Sequence, residues 1–232
     1  MLGLLTLDTA FPRIPGDVGA AETFPFPVRR AVVAGAGVEE VVHRADDALF
    51  PQFARAAMTL VDEGCIGIAT TCGFLVRWQR ELAAAVPVPV LTSALLQLPL
   101  VQRCLPQHRR VGVVTYSAAD LTHAALDAAG ADPSTPIAGV DPDGYFANTI
   151  RHGAKELDRG RMANDVVVAA RRLASADEDL GAIVLECANM PPYRAAVEAA
   201  MQMPVFDAVQ LITWFYAGIA RTPPRYGHTD LW

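Results

Sequence analysis

Two stretches decide the reading of this chain: CIGIATTCGF at residues 65–74 and LGAIVLECAN at residues 180–189. Each is a short apolar run that leads into a cysteine, and Cys72 falls on Cys187 at an offset of 115 residues. The same offset carries VPVLT (88–92) onto MPVFD (203–207), with Pro89 on Pro204. Upstream, GLLTLDT (3–9) resembles GVVTYSA (112–118) at an offset of 109, which puts Thr6 on Thr115 and Asp8 on Ser117. A helix-like segment at 51–63 falls on another at 161–174. The chain therefore reads as two copies of one half of about 110 residues, each with a cysteine directly after the same strand.

Outward from these stretches, short apolar runs at 2–7, 31–35, 66–70, 88–91, 110–116, 136–140, 182–186 and 204–207 read as buried strands. Helix-like segments at 51–63, 74–85, 118–129, 161–176, 193–201 and 208–220 separate them. Strands that alternate with helices imply βαβ units and parallel sheets covered on both faces. The fold class expected is α/β, with two pseudo-symmetric parallel-sheet αβα half-domains. Residues 1–92 with 208–232 form the first half-domain and 93–207 the second. Ligands of open parallel sheets bind beyond the carboxyl ends of the strands. Two halves facing each other would place both cysteines on one cleft.

Composition narrows the chemistry. Of 232 residues 52% are hydrophobic and 19% charged, enough apolar material for a packed core and unlike a disordered chain. A formal charge of -6 offers no footprint for nucleic acid. No apolar run reaches the roughly 18 residues that a membrane span requires. The N-terminus MLGLLTLDTAF lacks the basic start and cleavage site of a signal peptide. A cytoplasmic location is the expectation. Four scattered cysteines make no disulfide scaffold, and the five histidines show no metal-ligand spacing, so no metal is expected. The basic residues are 18 Arg and the single Lys155, which lies in the charged stretch RHGAKELDRG. That leaves pyridoxal phosphate without a convincing Schiff-base lysine. Neither GxGxxG nor GxxxxGK[ST] occurs. No cofactor is expected.

Two facing thiols suit proton transfer at carbon. One thiolate removes a proton while a thiol opposite delivers one to the other face, through a planar enolate intermediate. Cys72 stands ahead of the helix that opens near Phe74, and Cys187 ahead of the one around Pro191 and Pro192. Helix N-termini favour the thiolate, so lowered thiol pKa values are expected at both. The backbone amides of Gly73, Phe74, Ala188 and Asn189 are natural oxyanion donors. Thr71, Thr115 and Ser117 fall at strand ends on the same side.

With TTCGF, RRVGVVTYSA and LECANMPPY in place, the chain resembles the aspartate/glutamate racemase superfamily over nearly its whole length. That superfamily includes glutamate and hydantoin racemases, maleate isomerase and arylmalonate decarboxylase. The resemblance implies a cofactor-independent racemase or epimerase of an amino acid or related α-carbon acid, with Cys72 and Cys187 as the acid/base pair. It implies that Thr71, Gly73, Ser117, Ala188 and Asn189 line a pocket for the substrate carboxylate, near Asp8 and Thr9 at the end of the first strand. A maleate-type cis–trans isomerase with a covalent cysteine adduct is one alternative. A non-catalytic small-ligand protein on the same fold is another.

The chain departs from typical members at Gly73-Phe74 after the first thiol and Ala188-Asn189 after the second, which argues against an acidic amino acid as substrate. Arylmalonate decarboxylases lack the first cysteine, so its presence weighs against that activity. Phe74 and Thr115 are further candidates for substrate contact, as is Arg13 in the loop FPRIPGD, which could bind a carboxylate. The Pro/Gly-rich stretch 11–28 reads as a lid or wall over the cleft. A second copy of the chain is a candidate partner, and the tail 221–232 is expected to dock on the body or on such a partner. Cys65 and Cys104 read as small buried hydrophobes. Glu186 reads as structural, since strand alternation points it away from the site.

Overall fold

A computed structural model of the chain describes residues 1–220; the tail expected to dock, 221–232, lies outside the described residues. Eight parallel strands are described: β1 (Leu2–Leu7), β2 (Val28–Val33), β3 (Ile68–Thr70), β4 (Val90–Leu91), β5 (Arg110–Thr115), β6 (Ile137–Gly139), β7 (Leu180–Leu185) and β8 (Val205–Phe206). They form two four-stranded sheets, ordered β2-β1-β3-β4 and β6-β5-β7-β8. The second order is the first repeated, strand for strand. The fold is α/β with two like halves, as the repeat implied.

Equivalence extends to single bonds. The amide of Ile68 donates to the Pro89 carbonyl at 2.9 Å, and that of Ile183 to the Pro204 carbonyl at 3.0 Å. Both prolines feed the last strand of their sheet through a carbonyl, where a missing N–H costs nothing. Gly3 and Gly112 are also paired by the repeat. A Cβ on Gly3 would lie 2.7 Å from Ile68 Cδ1 and 3.1 Å from Leu60 Cδ1, and one on Gly112 would lie 2.6 Å from Leu180 Cδ1 and 2.9 Å from Leu173 Cδ2. Glycine here lets a helix close on the central strand: α1 (Phe50–Asp62) in the first half, α6 (Arg159–Ala176) in the second.

The remaining helices are α2 (Gln79–Ala85), α3 (Leu98–Cys104), α4 (His123–Ala128), α5 (Tyr145–His152), α7 (Arg194–Met201) and α8 (Ala208–Ile219). Helix α6 buries Met162, Val166, Ala169, Ala170 and Leu173, a stripe of helical period that faces the sheet. Its first amides are capped by Asp158. Helix α8 opens on a capping box between Asp207 and Gln210. It packs back on the first half, where Phe215 and Ile219 meet Gly67 and Tyr216 stacks on Phe26 with ring centroids 3.9 Å apart.

Several details differ from the sequence reading. The segment expected to be one helix at 74–85 is a 3-10 helix, Gly73–Trp78, that runs into α2. The segment expected at 118–129 is helical only in α4. Helices α3 and α5 were not expected. Cys104 is exposed rather than buried, at the end of α3. No helix among the described residues is long and apolar enough to cross a membrane, and no cluster of three His, Cys, Asp or Glu residues is placed to hold a metal ion.

Candidate active site

The carboxyl ends of β1, β3, β5 and β7 converge on one cavity between the halves. Each strand delivers its end or continuation to it: Leu7 at the end of β1 and Thr9 after it, Thr71 to Phe74 after β3, Tyr116 after β5, and Glu186 to Asn189 after β7. Both thiols line this one cavity, and each residue is at least nine-tenths buried. The rest of the wall is largely apolar, with Phe11, Val38, Val42 and Ile150.

Among the expected residues, Arg13, Thr71, Cys72, Gly73, Phe74, Cys187, Ala188 and Asn189 reach the lining. Asp8, Thr115 and Ser117 do not. Asp8 is exposed and accepts from the Gly35 amide at 3.1 Å, which ties down the turn after β2. Thr115 is fully buried beneath the cavity and donates to Glu186 Oε2 at 2.7 Å. Ser117 donates to Asp120 Oδ2 at 2.6 Å, which also meets His43 Nδ1 at 2.8 Å across the two halves. The side chains of these three are held in those contacts and do not enter the lining of the cavity.

Asp17 and Glu186 were missed as site residues. Asp17 lies in the long loop 11–28, 3% exposed, and joins that loop to the second half. It accepts from Arg13 Nη1 at 3.1 Å, from the Gly19 amide at 2.6 Å and from Asn189 Nδ2 at 2.6 Å. Asn189 Oδ1 in turn lies 3.5 Å from Cys187 Sγ, and Arg13 Nη2 donates to Thr9 Oγ1 at 2.9 Å. The Val18 amide adds a backbone bond to the Ala188 carbonyl at 3.1 Å. The loop is thus a fixed wall: Phe11 lines the cavity with the Arg13 guanidinium 4.2 Å from its ring centroid.

Glu186 is 1% exposed and lines the cavity beside Cys187, where strand alternation was expected to point it away. Strand β7 ends at Leu185, so the alternation that would have turned Glu186 away no longer applies. Burial raises its carboxyl pKa to about 7, against the opposing hydrogen bonds from Thr115 and the Tyr116 amide.

The lowered thiol pKa values expected at helix starts do not occur. Burial pushes Cys72 up to about 12, and the Glu186 charge adds to it, while the Phe74 and Leu75 amides and Arg77 pull the other way. Cys187 is also raised, again by burial first and Glu186 second, against the Asn189 amide. Desolvation outweighs the few backbone donors, so both sulfurs rest as neutral thiols.

No family model matches the chain. It is 26% identical to a dimethylsulfoniopropionate lyase of Durusdinium sp. clade D, over 99% of this chain and 78% of that protein. It is 28% identical to dimethylsulfoniopropionate lyase 7 of Emiliania huxleyi (strain CCMP1516), over 97% of this chain and 69% of that protein. Among solved structures, arylmalonate decarboxylase superposes with a TM-score of 0.62 at 16% identity, covering 96% of this chain and 94% of that one. Allantoin racemase from Klebsiella pneumoniae gives 0.60 at 20% identity, with 95% and 90% covered. Glutamate racemase from Thermus thermophilus in complex with β-chloro-D-alanine gives 0.52 at 18% identity, with 93% and 78% covered. The chain has the fold of the aspartate/glutamate racemase superfamily.

Proposed function

We propose that this chain is a cofactor-independent enzyme that removes the proton from the carbon beside a carboxylate and then expels a β-substituent, acting as a lyase on a small β-sulfonium propionate. The observation that carries this reading is that both thiols line one buried cavity whose remaining wall is mostly apolar. A dialkylsulfonium has no N–H to satisfy and suits apolar and aromatic walls such as Leu7, Phe11 and Phe74. The names of the two lyase relatives, at 26% and 28% identity over nearly the whole chain, favour the same substrate.

In this reaction a cysteine thiolate takes the α-proton, the C–H pair becomes the Cα=Cβ bond, and the Cβ–S bond breaks. The sulfide leaves with its electron pair as a neutral dialkyl sulfide, and an unsaturated carboxylate remains. Thr9, Thr71 and Arg13 supply polar contacts for the substrate carboxylate. A second reading, racemisation or epimerisation of an α-carbon acid, is favoured by the equivalence of Cys72 and Cys187. In that case the thiol of the other half returns a proton to the opposite face.

Headspace measurement of dimethyl sulfide from dimethylsulfoniopropionate tests the lyase. Wild type releases the sulfide, and Cys72→Ala or Cys187→Ala lowers kcat by roughly 10²–10⁴-fold, the span of a lost general acid or base. Release that stays within twofold of wild type in both variants overturns the cysteine mechanism. Absence of sulfide, together with deuterium exchange at Cα of an amino acid or hydantoin in D2O, replaces the lyase by the racemase.

A further inference from the structure

A buried thiol that rests neutral needs somewhere to send its proton before it can act as a base. The lining offers one group for this. Glu186 Oε1 is buried and has no hydrogen-bond partner, while Oε2 is held by Thr115. Its carboxylate lines the same cavity as both thiols: Glu186 precedes Cys187, and Oε1 lies so close to Gly73, the neighbour of Cys72, that a Cβ there would overlap it. Among the described residues it forms no ion pair. An unpaired buried carboxylate is costly unless it can exist in neutral form.

Glu186 also has a second side. Together with Gly73 and Ala188 it lines a second, smaller cavity, whose wall includes the hydroxyl residues Thr70, Thr92 and Ser93 and the start of α8. One carboxylate therefore borders both the thiol cavity and a polar recess behind it.

We infer that Glu186 is the proton acceptor for the cavity thiols and passes their proton to solvent through the recess lined by Thr70, Thr92 and Ser93. This rests on the carbanion chemistry proposed above. In the step, the S–H bond of the reacting thiol breaks and its proton passes through an intervening water to Oε1, leaving a thiolate and a neutral carboxyl group. The thiolate then takes the substrate α-proton and is a thiol again. The carboxyl proton leaves to water through the recess, so one proton is released per elimination. A carboxyl that titrates at about 7 changes state in the range where such a relay is useful. The titratable and charged groups on the elements around it are Cys72 and Arg77 after β3, Tyr116 after β5, Cys187, Asp207 at the start of α8, and the Asp17–Arg13 pair behind Asn189.

The test pairs spectroscopy with kinetics on wild type, Glu186→Gln and Glu186→Asp. In infrared titrations the S–H stretching bands, assigned by Cys72→Ala and Cys187→Ala, shift together with loss of a protonated-carboxyl band, with a midpoint near 7. Both changes vanish in Glu186→Gln. In turnover, kcat/KM of wild type rises with pH to a plateau above that midpoint. Glu186→Gln lowers kcat at least roughly 100-fold and loses the inflection, and Glu186→Asp keeps it. Thermal unfolding confirms that each variant is folded. S–H bands indifferent to pH in wild type, or a Glu186→Gln enzyme within threefold of wild-type kcat, overturn the relay. Coupled S–H bands in a protein without carbanion turnover leave the relay standing and refute the reaction instead.

Discussion

Removing the Asp17 carboxylate with Asp17→Ala should unlatch the 11–28 wall, and the structure gives the size of the effect. The Asp17 side chain is 5% exposed and its Arg13 partner 20%. The carboxylate collects Arg13 Nη1, the Gly19 amide and Asn189 Nδ2. Its loss leaves a largely buried guanidinium and a buried amide without an acceptor. Breaking a buried pair by removing one partner costs about 3–5 kcal/mol. Arg13 keeps partial access to water and its bond to Thr9, which brings the expected loss to about 2–4 kcal/mol. For a chain of this size that is a fall in Tm of roughly 4–16 °C.

Urea denaturation followed by circular dichroism measures the loss directly, and limited proteolysis within 11–28 reports whether the wall has come free. The double variant Asp17→Ala/Arg13→Ala should recover part of the loss, because the stranded cation is gone. A single-variant loss below about 1 kcal/mol, with unchanged proteolysis, would refute the reasoning. The wall would then be held by the packing of Phe11, Val18 and Phe24 and not by its polar latch.

Gly73→Ala puts a methyl group over Glu186 Oε1 and 2.8 Å from the Glu186 carbonyl, and should cost about 1–3 kcal/mol in urea unfolding. Phe146→Ala empties a fully buried site packed edge-on against Tyr193 and should cost about 3–5 kcal/mol by the same assay. Glu186 has a folded-state pKa of about 7 against an ordinary 4.5, so its favourable contribution is complete below 4.5 and is lost as pH rises through 7. Stability of the wild type should fall by roughly 3 kcal/mol between pH 5 and 8, and Glu186→Gln should flatten that slope. With Cys72 pushed up from 9.0 to about 12, iodoacetamide at pH 7 should find roughly a thousandfold less thiolate there than on an ordinary thiol. Mass spectrometry should therefore show exposed Cys104 labelled first, and equal labelling of Cys72 would contradict the burial argument.

The fold was legible because strands buried on both faces read as continuous apolar runs, and all eight runs became strands. Strand β2 starts three residues early, at Val28, since an edge strand carries Arg29 and Arg30 that an apolar pattern ignores. Helix α3 begins LPLVQRC, and its proline, which reads as a breaker in sequence, occupies the first turn where a missing N–H is harmless. Helix α5 starts after Gly144 in a polar stretch with too little apolar pattern to announce it. Asp17 could not be read at all: its partner Asn189 is 172 residues away, and the loop around it has no periodicity.

Glu186 is different, because the signal for it was present. The offset of 115 that pairs the thiols also pairs Thr71 with Glu186. A candidate site residue in one half thus pointed to its counterpart in the other, and only the assumed strand alternation hid it. The pairing is unequal in chemistry: Thr71 Oγ1 accepts from the Leu7 amide at 3.4 Å, whereas Glu186 keeps a free oxygen. Duplication supplied two equivalent thiols, but only one carboxylate. A symmetric pair of carboxylates would bury two like charges beside two thiols, each raising the other's pKa further. One carboxylate shared between them keeps a single titrating proton in the cavity. The repeat therefore explains why two thiols line one cavity, and the break in the repeat leaves a single buried carboxylate with a free oxygen beside them.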